Sequence, residues 1–139
     1  MIHFHFEDID LNIKDLNTKK EWIKQVIDQK GSSTGELNII FCSDKYLLSI
    51  NQEHLNHNYY TDIITFDYVN EHIISGDLFI SLERIKDNAE NLSISFNDEL
   101  DRVIIHGVLH LLGHKDKTEA DKLKIRAEED FCLTLRPLK

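Results

Sequence analysis

The sequence predicts an α/β domain of the α+β kind: a mixed sheet of about four strands covered by helices, with one buried central helix. Three observations predict it. Apolar residues make up 41% of 139, enough to build a core. Segments with strand and helix patterns follow one another as β-α-β-α-β-β-α-α-α, an order that puts helices against a sheet. One stretch in the last third is apolar on nearly every helical face, as a buried helix must be. A chain of this length is expected to fold as one domain, residues 1–139, and to bury roughly 70% of the surface its unfolded form exposes.

Ile2, Phe4 and Phe6 alternate with His3 and His5, the period of a strand with one buried face and the histidines on the wetter one. Thr18-Lys19-Lys20-Glu21 has the form of a capping box. Trp22, Ile23, Val26 and Ile27 then recur at helical spacing until Gly31 stops the helix. Residues 36–42 read as a strand, and Leu47, Leu48, Ile50 and Leu55 as a helix from about Lys45. The β-branched and aromatic segments 62–69 and 73–81 flank Asn70-Glu71-His72 and should pair. Ser81 can cap a helix carrying Leu82, Ile85, Ala89 and Leu92. Ser95 or Asn97 can cap the next, from about Asp98 to Leu112. Thr118-Glu119-Ala120-Asp121 opens a last helix, read with Leu123, Ala127 and Cys132 inward.

The longest uncharged stretch, Val103 to His114, falls short of the ~18 to 20 apolar residues of a membrane span. Met1 to Phe6 carries no Lys or Arg and no apolar signal-peptide middle, so the expected location is cytoplasmic. Cys42 and Cys132 lack C-x-x-C spacing, which argues for reduced, buried thiols rather than sulfur-ligated zinc. A net charge of -9 argues against coating nucleic acid through bulk charge and leaves a local basic groove open. Lys115, Lys117, Lys122, Lys124 and Arg126 are interrupted by Asp116, Glu119 and Asp121 and read as a solvated helix face.

The chemistry is concentrated in the apolar helix. His106 and His110 are four apart, share a face with a rise of ~6 Å, and can converge on one ion. The plain alternative is a pair of core histidines, each with its own partner. Two buried imidazoles without partners would cost ~1 to 3 kcal/mol each, and one metal ion answers both. Gly113 is placed to end the helix and reverse the chain. A continuous row through His114 would be ~12 Å long, too long for one ion. After the break at Gly113, Asp116 is better placed than His114 to fold back as the third ligand. Two imidazoles and a carboxylate with an open fourth position suit catalytic zinc, one ion per chain, and hydrolysis by an activated water. Gly107 occupies the place where a zinc peptidase of the H-E-x-x-H type carries its general base, which counts against peptidase chemistry.

His106-Gly107-Val108-Leu109-His110-Leu111-Leu112-Gly113 resembles the hallmark H-G-x-L-H-L-x-G-Y-D-H of the YbeY family of bacterial endoribonucleases. Ile50-Asn51 and Thr61-Asp62-Ile63-Ile64-Thr65-Phe66 resemble the family's L-N-x-x-Y-R and T-[DN]-V-L-S-F segments. Gly76-Asp77-Leu78-Phe79-Ile80 resembles its G-D-[IL]-x-I strand. The resemblance implies a zinc-bearing central helix and a hydrolase of single-stranded RNA. It further implies roles in maturing the 3′ end of small-subunit ribosomal RNA and in ribosome quality control, with the small subunit or its assembly factors as partners and no DNA or membrane.

Two positions depart from the pattern. Asp116 stands where the family has its third metal histidine, in agreement with the carboxylate ligand, and His114-Lys115 replaces Tyr-Asp. Leu55 stands where the family has an arginine; Arg84, Arg102, Lys115 and Lys117 are the cations considered as substitutes. Asp62 and Asp77 are pocket candidates for orienting the ligands or the attacking water, no general base being assigned. The leading expectation is a metal-dependent endoribonuclease; the alternative is a ribosome-associated binding protein whose metal is structural.

Overall fold

The computed structural model describes residues 1–56 and 59–137. Its elements are β1 (Ile2–Phe6), α1 (Leu16–Gln29), β2 (Ser33–Cys42), α2 (Asp44–Leu55), β3 (Ile63–Asp67), β4 (Ile73–Ser81), α3 (Leu82–Leu92), α4 (Phe96–Leu111) and α5 (Glu119–Thr134). The order is the one expected. The strands form a mixed sheet in the order β1-β2-β4-β3, with β1, β2 and β4 parallel and β3 antiparallel to β4.

Strand alternation divides the core in two. Leu37, Ile39, Phe41, Leu78 and Ile80 face the larger cluster, which also takes in apolar residues of α1, α3, α4 and α5. The alternate residues Cys42, Ile64, Phe66 and Phe79 face α2, where Leu47, Tyr46 and Ile50 pack on them. The registers Ile63↔Ile80 and Ile64↔Phe79 keep these two faces separate across the hairpin.

Helix α4 lies across β3 and β4 because two glycines let it approach. A Cβ on Gly107 would stand 2.7 Å from Ile63 Cδ1, and one on Gly76 would stand 2.6 Å from the Phe66 carbonyl oxygen and 3.0 Å from Leu111. Its N-terminus is capped by Ser95, whose hydroxyl accepts from the Asp98 N–H. Asn97 instead accepts from Lys19 Nζ at 2.9 Å. Gly113, at φ 103, turns the chain out of α4, with the His114 N–H returning to the Leu109 carbonyl at 3.0 Å.

Two local expectations differ. Helix α1 begins at Leu16 after Asp15 in a left-handed conformation, and Thr18 lies within its first turn rather than capping it. The wall of apolar residues from Trp22 onward fixes this helix; the Trp22 indole donates to the Cys132 carbonyl at 2.8 Å and ties α1 to α5. In α5 the capping box of Thr118 and Asp121 is present, but Leu123 is 73% exposed and Ala127 is also exposed. The inward residues are Ile125, Glu129 and Cys132. The face turned inward joins the buried, ion-paired Glu129 to Ile125 and Cys132 and leaves Leu123 outside. Both cysteines are buried and free. Among the described residues no helix is long and apolar enough to cross a membrane.

Candidate metal centre

His106 and His110 project from the last two turns of α4, and Asp116 returns to them from the loop that Gly113 opens. One donor atom from each lies within 4.8 Å of the other two. The two Nε2 atoms are 2.9 Å apart, and Asp116 Oδ2 is 3.6 Å from His106 Nε2 and 3.4 Å from His110 Nε2. The rings are a quarter exposed, so the cluster opens to solvent at one side.

The far nitrogens decide what these near atoms can do. His106 Nδ1 meets Glu129 Oε2 at 2.6 Å and His110 Nδ1 meets the His114 carbonyl at 2.9 Å. Both partners are acceptors, so each Nδ1 carries its hydrogen and each neutral ring presents a lone pair at Nε2. Two lone pairs at 2.9 Å, with a carboxylate oxygen beside them, repel unless a cation stands between. A proton on one ring meets that need in part: burial opposes charge on His106, yet the Glu129 hydrogen bond and the negative charges of Glu129, Asp116 and Asp62 outweigh it and raise its pKa. A divalent metal meets the need of all three donors, and the set of two imidazoles and one carboxylate fits zinc.

Glu129 was not singled out from the sequence. It is 4% exposed, and its second oxygen accepts from Arg102 Nη1 at 3.0 Å, while Arg102 Nη2 donates to Asp130 at 2.8 Å. Glu128, Glu129 and Asp130 form an acidic run, and only the rotation of α5 selects the middle one. The imidazole of His114 is outside the cluster; its main chain serves instead.

Two hollows meet at the cluster. The one beside α2 and β3 is lined by Leu55, Tyr59, Thr65 and both histidines; the one beside α5 is lined by Glu99, Lys122, Arg126 and Glu129. Asp62, Ile63, His106 and Asp116 line both. Burial raises the Asp62 carboxyl above its ordinary range, against the lowering pull of His106 and Arg84. Asn88 Nδ2 bridges it, at 3.3 Å, to Glu99, whose Oε2 lies at 3.5 Å.

Asp77 lies elsewhere. Paired with Phe66 in register, it is on the α2 face of the sheet, accepts from Asn38 Nδ2 at 3.0 Å and lines a separate hollow with Tyr46 and His54. Of the cations considered for the place of Leu55, Arg84 is held by Asp44 at 2.6 Å and Arg102 by Glu129 and Asp130. Lys115 and Lys117 are exposed and line neither hollow.

The fold and the cluster define an α+β domain with an open His–His–Asp site suited to a divalent metal. The family profile described as endoribonuclease YbeY matches residues 3–135, and the chain belongs to the YbeY family. Endoribonuclease YbeY of Flavobacterium psychrophilum is 48% identical over 135 residues, covering 97% of this chain and 96% of the relative. That of Cytophaga hutchinsonii is 46% identical over 138 residues, covering 97% and 95%. A solution structure of a Thermotoga maritima protein shares the fold, with a TM-score of 0.73 at 22% identity over 97% of this chain and 88% of the other.

Proposed function

We propose that this chain is a metal-dependent endoribonuclease specific for single-stranded RNA, with zinc held by His106, His110 and Asp116. The convergence of three lone-pair donors on one point at an open cleft carries the reading, and family membership supports the RNA-cleaving class. A divalent ion held by these three side chains would supply Lewis-acid chemistry, activating water and polarising a phosphoryl oxygen. The chain's own residues prepare the place. Glu129 and the His114 carbonyl fix both imidazoles in the tautomer that aims Nε2 inward. Asp62, at the junction of the two hollows, is the group we assign to orient the attacking water. Tyr59, 55% exposed, lines the first hollow and brings an aromatic ring to the cleft, where stacking on unpaired bases would favour single strands over duplex.

On the resemblance we further propose that the activity is cytoplasmic and serves maturation of the 3′ end of small-subunit ribosomal RNA and ribosome quality control, with the small subunit or its assembly factors as partners. The alternative, a ribosome-binding protein with a structural metal, calls for a closed four-ligand site. Among the described residues no fourth His, Cys, Asp or Glu joins the cluster, which favours catalysis. Incubation of zinc-loaded protein with a labelled single strand and with its duplex tests the proposal. Preferential cleavage of the single strand, abolished in Asp116→Ala, is expected; a zinc-loaded protein that cuts neither would refute it.

A further inference from the structure

The two arms of the cleft differ in charge. The hollow beside α2 and β3 is lined by Asp62, Asp67 and Asp116 and by no Lys or Arg among the described residues. The hollow beside α5, about 350 Å³ and large enough for a nucleotide-sized ligand, is lined by Arg102, Lys122 and Arg126 as well as by acids. Arg102 is held fast: it is 18% exposed, with its two terminal nitrogens on Glu129 and Asp130. Lys122 and Arg126 are not held. Their side chains are 57% and 59% exposed, and their ion pairs are loose, 3.6 Å from Lys122 to the exposed Glu119 and 3.8 Å from Arg126 to Glu129.

Their placement is not that of a merely solvated face. Lys122, Ile125, Arg126 and Glu129 follow the i, i+3, i+4, i+7 spacing of one helical stripe, and all four line the hollow. Lys124, on the same helix, does not. The stripe therefore runs from the carboxylate that holds His106 out to two available cations, and the hollow it borders ends at the metal cluster.

A strand of RNA entering this site meets a chain of net charge -9 and the carboxylates Asp62, Glu99, Asp116 and Glu129. Salt screens charge beyond ~8 to 10 Å, so the cations that offset this repulsion must stand in the cleft itself. We propose that Lys122 and Arg126 are the phosphate-binding rim of the site, gripping the backbone of single-stranded RNA on the α5 side of the bond to be cut. The grip is one-sided, because the other arm is lined by Asp62, Asp67 and Asp116 and by no Lys or Arg among the described residues. This inference rests on the nuclease reading above.

Fluorescence anisotropy of a labelled single-stranded oligoribonucleotide on metal-free protein, at several salt concentrations, tests it. Each phosphate contact contributes ~0.7 to the slope of log affinity against log salt for a single strand. The double variant Lys122→Gln/Arg126→Gln is expected to lower that slope by about 1.4 and to weaken binding alike for unrelated sequences. The charge-matched control Lys24→Gln/Lys124→Gln, exposed positions off the hollow, is expected to leave the slope unchanged, and thermal melts of both check the fold. An unchanged slope in the first variant, or equal loss in both, overturns the rim while leaving the nuclease reading in place. A wild-type protein that neither binds nor cuts RNA overturns both.

Discussion

Glu129 supports the cluster from outside it, since one oxygen holds His106 and the other holds Arg102. Loss of such a supporting partner commonly lowers metal affinity 10–100-fold. Glu129→Gln, which keeps an acceptor but not the charge, is expected near the lower end of that range and Glu129→Ala near the upper, by competition with a chelator. Glu99 makes a different prediction. Glu99 is 5% exposed, its Oε1 has no hydrogen-bond partner among the described residues, and burial first, then the charge of Asp62, raises its pKa above the ordinary glutamate value. A carboxyl with a raised folded-state pKa favours folding below the unfolded value, and that contribution is lost as pH rises through the folded value. Glu99→Gln should therefore raise the melting temperature of metal-free protein more at pH 7 than at pH 4; an equal or opposite change would contradict this. The clustering of His106, His110 and Asp116 was legible in the sequence because spacing within one helix, and one glycine after it, constrain them. Glu129 was not, because its role depends on how a separate helix is rotated.

The elements owe their positions to close approach and to caps. Gly76 sits where a methyl group would strike the Phe66 carbonyl, a fixed backbone atom of the neighbouring strand, and crowd Leu111 of α4. Gly76→Ala is expected to destabilise by ~1 to 3 kcal/mol, the range of overpacked cores, in chemical denaturation. Ser95→Ala, which deletes the cap of α4, is expected to cost ~1 kcal/mol by the same measurement. The caps at Ser81, Ser95 and Thr118 could be read from the sequence since each is a local exchange between a hydroxyl and the next turn. The start of α1 could not: Asp15 adopts a left-handed conformation without a side-chain cap, and tertiary packing of Trp22 and its neighbours outweighs the capping pattern at Thr18. The inward face of α5 was misread for a related reason, since apolarity pointed to Leu123 while a hydrogen bond to His106 and an ion pair to Arg102 hold Glu129 inward.

At the scale of the molecule, the sheet supports α4 across β3 and β4, and α5 closes against α4 with the ligand loop between them. Element order was legible because hydrophobic period is local; the strand order β1-β2-β4-β3 depends on pairings between distant segments and was not. The same holds for the site's charge. The basic residues of α5 look alike in sequence, and only the folded chain separates Lys122 and Arg126, in the cleft, from Lys124, outside it. The central claim is that His106, His110 and Asp116 form one metal centre that serves RNA cleavage. The most direct test measures bound metal by elemental analysis, and cleavage of a single-stranded RNA, for wild type and His110→Ala in parallel. The account predicts one equivalent of zinc and cleavage in wild type, both lost in the variant with the fold retained. A wild type that takes up no metal, or a variant that still cuts, would contradict it.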